Sequence, residues 1–211
     1  MPANPGFQLS LDVKGRICLV LGGGDEAVEK AQRLLEAGAK VTVISPTLND
    51  TLRKLTASAK VLHRGRLFRA SDTEGVIVVI NTLRGDPDFS KSLLELAKKE
   101  RFLLWSMDHP EWSTVSMPAV VSRGHLRLAI STSGAAPALA SRLRQDLEEV
   151  FSEECVAFLD WLAALRDKTK ETEPDAEKRR ALLREAVNGF KLSGSIEYPK
   201  AWREERAKQK A

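Results

Sequence analysis

The most constraining feature of the sequence is a strand-like segment that runs directly into three glycines and then into a helical pattern. Residues 16–21, RICLVL, are β-rich and almost continuously apolar. Apolar residues between Ala27 and Leu35 then recur at helical spacing, and Gly38 is a typical helix stop. A second apolar segment follows at 40–45, KVTVIS. This succession predicts a strand–helix–strand unit with both strands buried.

The same alternation continues to residue 107. Further strands are predicted at 60–64, 75–81 and 101–107, with helices at 48–57 and 88–100. Strands that are buried on both faces and alternate with helices form parallel sheets with right-handed crossovers. The fold class expected is therefore α/β, with a Rossmann-like, doubly wound parallel sheet.

The pattern changes after Pro110. Segments 114–122 and 125–132 are separated by an Arg-Gly turn and predict an antiparallel pair, and a helix is expected over 137–151. From residue 152 the sequence is helical and increasingly charged, with breaks near 170–178 and 188–195. A small antiparallel segment and a C-terminal helical extension are thus expected to follow the sheet.

Composition narrows the classes of partner and compartment. The chain has 211 residues and a formal net charge of +4, a mild excess that suits an anionic small molecule and does not indicate nucleic acid. The first residues lack the apolar core of a signal peptide and no apolar run is long enough to span a bilayer, so we expect a cytoplasmic protein without membrane contact. Cys18 and Cys155 lie far apart, which predicts neither a disulfide nor a zinc site.

The glycine segment matches a dinucleotide-binding motif. Gly22, Gly24 and Ala27 have the spacing GxGxxA, in which the first glycine permits a tight turn, the second admits a pyrophosphate, and the small residue lets helix pack on strand. The alternative is a tight connection that binds nothing. Ser45 stands where an acid would bind the ribose hydroxyls, and no arginine in that turn favours a 2′-phosphate, so NAD is expected over NADP.

With these residues placed, the chain resembles the precorrin-2 dehydrogenase family, which includes the dehydrogenase module of sirohaem synthases. The resemblance covers roughly residues 8–150 and rests on 20–46, on the SMDHP segment at 106–110, and on 117–144, MPAVVSRGHLRLAISTSGAAPALASRLR. It implies NAD-dependent oxidation of precorrin-2 to sirohydrochlorin by a homodimer with interlocking antiparallel segments. The expected division is an NAD-binding domain at 1–112, a dimerisation segment at 113–150 and a helical domain at 151–211.

The resemblance also assigns the site residues. Asp108 corresponds to the family's essential aspartate and is the predicted catalytic residue, whereas the adjacent His109 is not included. Substrate contacts are predicted at Ser131, Thr132, Ser133 and Gly134, and no permanent metal site is expected. The predicted cofactor contacts are Gly22, Gly23, Gly24, Asp25, Ser45, Pro46, Asn81 and Thr82. Basic residues that could face the carboxylates of the anionic tetrapyrrole are Arg123, His125, Arg127, Arg142 and Arg144.

Two alternatives to this interpretation stay open, and the sequence departs from the family pattern at three places. Some proteins of this family also insert ferrous iron as a second substrate, so ferrochelatase activity in the same cleft is one alternative; a non-catalytic module that binds NAD and tetrapyrrole is another. Ser106 and Met107 replace the family's usual Asn-Val, and Glu29 replaces a frequent arginine. Residues 81–83, Asn-Thr-Leu, replace Ala-Thr-Asp and remove an acid.

Overall fold

The computed structural model describes residues 6–210, apart from the side chains of 204, 205, 207, 209 and 210. Its centre is a five-stranded parallel sheet in the order β3-β2-β1-β4-β5. The strands are β1 (Ile17–Leu21), β2 (Lys40–Ile44), β3 (Val61–Arg64), β4 (Val76–Asn81) and β5 (Leu103–Ser106). The predicted fold class and the strand–helix alternation are confirmed.

Helices cover both faces of the sheet. They are α1 (Asp25–Glu36), α2 (Asp50–Ala57) and α3 (Pro87–Glu100). Ala31 of α1 and Leu52 of α2 belong to one apolar cluster with Val20 and Val43, while Leu93 of α3 packs in a second cluster on the other face. Burial on both sides explains why the strands read as continuous apolar runs.

Beyond β5 the chain leaves the sheet. A short 3₁₀ turn at Pro110–Trp112 leads to the hairpin of β6 (Ala119–Arg123) and β7 (Leu126–Ile130), as the Arg-Gly turn predicts. Four helices follow: α4 (Pro137–Val150), α5 (Glu153–Thr172), α6 (Ala176–Ala186) and α7 (Lys200–Lys210). Within the part of the chain that the structure describes, no helix has the length and apolarity needed to cross a membrane.

The chain divides into two compact units. The first runs to Ala119 and includes Ala129–Leu143; the second contains Val120–Leu128 and the chain from Arg144 onward. In the second unit the hairpin turn lies against α5, where His125 Nε2 is 3.5 Å from Asp160 Oδ1. The functional division at 1–112, 113–150 and 151–211 stays a prediction.

A buried carboxylate anchors the connection between β3 and β4. The Asp72 side chain is 1% exposed and accepts hydrogen bonds from Arg64, from Arg66 Nη1 and Nη2 at 2.8 and 2.6 Å, and from the Arg69 amide at 2.8 Å. These bonds, those from Arg66 foremost, hold the pKa of Asp72 far below its usual range. The cluster therefore fixes a loop that no apolar residue pattern specifies.

We expect Asp72→Asn to lower the free energy of unfolding at pH 7 by about 1–3 kcal/mol, because it removes the charge of a buried acceptor that is hydrogen-bonded to two guanidiniums and an amide. Since the pKa in the folded state lies below the unfolded value of about 3.9, this stabilisation is complete above that pH and is lost as pH falls towards the folded-state pKa. Urea denaturation between pH 7 and pH 3 measures the difference between variant and wild type.

The matched control is Asp88→Asn, an exposed carboxylate in the first turn of α3. Its effect should stay within about 0.5 kcal/mol, as for ordinary surface substitutions. Equal effects of the two substitutions at pH 7 would contradict a structural role for the Asp72 cluster.

Candidate functional site at the carboxyl edge of the sheet

Two of the three glycines are required by their immediate neighbours. Gly22 has φ +117°, and a Cβ there would collide with the Thr82 hydroxyl. At Gly23 a Cβ would collide with the carbonyl oxygen of Thr47. The predicted tight turn at Gly22 is therefore confirmed, and the bare backbone at both positions serves close packing of the loops after β1, β2 and β4.

Gly24 is different, because it faces open space. It is the N-cap of α1, has φ −93°, and a Cβ at this position would meet nothing within 4 Å. The first intrahelical bond runs from the Val28 amide to the Gly24 carbonyl at 3.1 Å, so the preceding amides have no partner within the helix. Free amides and the partial positive charge of a helix N-terminus form an anion-binding site.

Asp25 connects this loop to α2. Its carboxylate accepts a 2.8 Å hydrogen bond from Asn49 Nδ2, and the Asn49 amide donates to the Gly23 carbonyl at 2.8 Å. Asn49 Oδ1 in turn accepts from the Leu52 amide at 3.0 Å, which caps α2. Asp25 thus holds the loop in place through its side chain.

The end of β2 carries Ser45 and Pro46. Ser45 is buried, and its carbonyl lies 2.9 Å from His63 Nε2 on β3. An open pocket of about 550 Å³ begins beside them; it is lined by Pro46, Thr47, Leu48, Arg53, Thr56, Ala57 and His63. Of the two predicted residues at this strand end, Pro46 therefore lines a concave surface.

Asn81 and Thr82 hold the end of β4 to its neighbours. Asn81 is fully buried; its Nδ2 donates to Ser90 Oγ at 3.1 Å and its Oδ1 accepts from the Leu83 amide at 3.1 Å. The Thr82 hydroxyl donates to the Leu21 carbonyl at 2.7 Å. Both side chains are occupied in fixing the edge, so a ligand would meet backbone rather than free polar groups here.

Asp108 lies in the loop after β5, at the same edge of the sheet. It has φ +60°, a left-handed conformation in which Asp is among the better tolerated residues, and its side chain is 64% exposed. The His109 ring packs against Trp112 in a tilted arrangement, with ring centroids 4.3 Å apart, and its Nδ1 is 3.3 Å from Glu111 Oε1. Asp108 therefore presents a carboxylate to solvent at the sheet's ligand-facing edge.

Arg84 is a residue of this edge that the sequence analysis missed. Its Nε is 3.5 Å from Asp108 Oδ2, and its Nη2 is 3.7 Å from Glu26 Oε1 in the first turn of α1. A signal was available, since Arg84 follows β4 by three residues and the carboxyl ends of parallel strands meet at one edge. The guanidinium therefore lies between the first turn of α1 and Asp108.

The predicted substrate loop, residues 131–134, connects β7 to α4. The Thr132 hydroxyl accepts from the Ala136 amide at 3.1 Å just before the helix, and the Ser131 hydroxyl accepts from the Ser133 amide at 3.1 Å. Ser133 and Gly134 have φ of +51° and +82°. Among residues 6–210, this loop shares no hydrogen bond or ion pair with the glycine loop or Asp108.

Several of the basic candidates have partners in their own unit. Arg123 donates to the Glu148 carbonyl at 3.2–3.3 Å, and Arg144 lies 2.6 Å from the Glu148 carboxylate. Arg127 donates to the carbonyl of Gly124 at 2.6 Å. These contacts fix the hairpin and α4, so the guanidiniums are less available to a ligand than their sequence positions suggest.

Neither the two cysteines nor the possible metal-ligating side chains that the structure describes form a further site. Cys18 is fully buried, and burial raises the pKa of its thiol to about 11; Cys155 is partly buried and both cysteines are free. In the described part of the chain, no group of three or more His, Cys, Asp or Glu side chains is arranged to hold a metal ion. The groups that this edge offers to a ligand are the helix N-terminus at Gly24 and the carboxylate of Asp108.

Comparison with known proteins identifies the family and the fold. Residues 9–119 match the NAD(P)-binding family model NAD_binding_7, and residues 123–149 match the central part of sirohaem biosynthesis proteins. In structure, the chain is similar to a precorrin-2 dehydrogenase, SirC, with a TM-score of 0.73, 24% identity, and coverage of 97% of this chain and 98% of that one. That likeness confirms the fold over nearly the whole length.

Curated relatives include the siroheme synthases of Methylobacillus flagellatus, 30% identical over 179 residues, and Xylella fastidiosa, 31% identical over 189 residues. The alignments cover 85% and 90% of this chain, but only 38% and 40% of those proteins. This chain thus spans about two fifths of the relatives that it matches. It belongs to the NAD(P)-binding family that the sirohaem synthases contain, as its glycine loop and its hairpin motif predict.

Proposed function

We propose that this chain is an NAD-dependent dehydrogenase that oxidises precorrin-2 to sirohydrochlorin in sirohaem biosynthesis. The observation that carries the proposal is the position of Asp108 at the same sheet edge as the glycine loop, linked by Arg84 to the first turn of α1. Relatives named siroheme synthase and the structural likeness to a precorrin-2 dehydrogenase support the choice of substrate.

The residues at the edge fit a dinucleotide. Open space at Gly24 and the free amides of α1 would hold the pyrophosphate, and the pocket beside Pro46 would take the adenosine half. Position 45 is a serine rather than an acid, so the serine hydroxyl and the neighbouring backbone would contact the ribose. When bound, NAD supplies a hydride acceptor.

Asp108 supplies the matching base. Dehydrogenation removes a hydride and a proton from the macrocycle, and the exposed carboxylate of Asp108 would take the proton and pass it to water. The left-handed backbone at Asp108 turns the carboxylate out of the sheet edge, while Ser106 just before it is buried. Substrate would extend towards residues 131–134.

Two alternatives are separated by one experiment. Purified protein is incubated with precorrin-2 and NAD, then with ferrous iron, and spectra are recorded throughout. NADH absorbance with precorrin-2 supports the dehydrogenase; iron-dependent conversion of sirohydrochlorin adds the ferrochelatase activity. Binding of both ligands without either change would overturn catalysis in favour of a carrier or sensor.

Gly24→Asp should weaken NAD binding about ten- to a hundredfold without destabilising the protein. The new side chain has room, Asp is a favourable N-cap residue, and its charge would repel the pyrophosphate. Calorimetric titration and thermal melting measure the two effects. Gly24→Asn, of equal shape but uncharged, is the control and should bind NAD more tightly than Gly24→Asp; equal affinities would remove the pyrophosphate from this position.

Asp108→Asn should lower the rate of precorrin-2 oxidation by about 10²–10⁴, as for loss of a proton-transfer group, while NAD affinity stays within about twofold. Asn keeps the preference for left-handed backbone, so folding should be retained. Single-turnover NADH formation measures the step. Glu111→Gln, on the same loop, should turn over normally, and normal turnover by Asp108→Asn would return this residue to a structural role.

We further propose that the chain forms a homodimer through residues 113–150. Leu139 and Leu143 of α4 are 52% and 37% exposed, which leaves apolar surface on this segment. Leu139→Asp should convert dimer to monomer at micromolar concentration, as measured by light scattering, while circular dichroism shows that the variant stays folded. A monomeric wild-type protein would contradict the proposal.

A further inference from the structure

Arg84 is held more loosely than the arginines that contact the buried Asp72. Arg66 lies 2.6 Å from the buried Asp72, which locks it in place. Among the residues that the structure describes, Arg84 contacts carboxylates only at Asp108 and Glu26, at 3.5 and 3.7 Å, and all three side chains are substantially exposed. Exposed ion pairs of this length contribute little to stability. The guanidinium can therefore leave its partners at small cost.

The backbone that carries Arg84 is fixed on both sides. Before it, the Thr82 amide and hydroxyl both donate to the Leu21 carbonyl, at 3.0 and 2.7 Å. After it, Asp86 caps α3 by accepting from the Phe89 amide at 2.8 Å. The backbone of Arg84 is therefore fixed at the carboxyl edge of the sheet, whereas its guanidinium can move.

We propose that Arg84 binds a carboxylate of the tetrapyrrole and, in doing so, exchanges it for the carboxylate of Asp108. A guanidinium pairs with a substrate carboxylate through two parallel hydrogen bonds, which the loose contact to Asp108 does not provide. Substrate binding then removes the cation from Asp108 and leaves this carboxylate free to accept a proton. The proposal rests on the proposed dehydrogenase function, whose substrate carries several carboxylates.

The same guanidinium chemistry would suit the cofactor pyrophosphate, so the experiment has two arms. Arg84→Gln and Arg84→Lys are titrated separately with NAD, by calorimetry, and with sirohydrochlorin, by its absorbance. Arg84→Gln should weaken sirohydrochlorin binding about tenfold or more, with NAD affinity within about twofold, and Arg84→Lys should recover part of the loss. With precorrin-2 as substrate, KM should rise in proportion.

The matched control is Arg33→Gln. Arg33 makes a comparable exposed contact to Glu29, at 3.4 Å, in the last turn of α1 away from the carboxyl edge. The Arg33→Gln substitution should leave the affinities for NAD and for sirohydrochlorin unchanged. Equal sirohydrochlorin affinity of Arg84→Gln and wild type, or a loss confined to NAD, would overturn the assignment while leaving the dehydrogenase intact. A wild-type protein that neither binds nor oxidises tetrapyrrole would overturn both.

Discussion

The geometry of the site depends on two hydrogen bonds to the backbone carbonyl of Leu21. The amide and the hydroxyl of Thr82 both donate hydrogen bonds to this carbonyl, at 3.0 and 2.7 Å. These bonds hold the loop after β4 to the end of β1. Gly22 must lack a side chain because the Thr82 hydroxyl occupies that space. The first glycine is therefore required by the packing of two strand ends, before any ligand is considered.

This division of labour explains how one short segment can serve both folding and binding. Gly22 and Gly23 are enclosed by neighbouring loops, and Gly24 alone among the three faces open space. Ala27, in the first turn of α1, is fully buried against the sheet. The helix N-terminus is thus rigidly placed by residues that a ligand need not touch, which is the preorganisation that phosphate binding requires.

Local patterns in the sequence were sufficient for the sheet and insufficient for the contacts across its edge. The apolar runs at 16–21 and 75–81 predict β1 and β4 because burial on both faces leaves a strong local signal. The contact between Arg84 and Asp108 joins residues 24 positions apart in sequence number, and no periodicity encodes it. The Asp72 cluster is local, since its arginines lie within eight residues of the acid, but it is built from polar hydrogen bonds that no apolar periodicity encodes.

The Asn49 side chain couples the start of α2 to the glycine loop. Its Oδ1 accepts the Leu52 amide proton while its Nδ2 holds Asp25, and its own amide binds the Gly23 carbonyl. A ligand bound at the glycine loop would therefore also stabilise this cap. Slower hydrogen–deuterium exchange of the Leu52 amide, which lies on a different helix from Gly24, would report such binding from a distance.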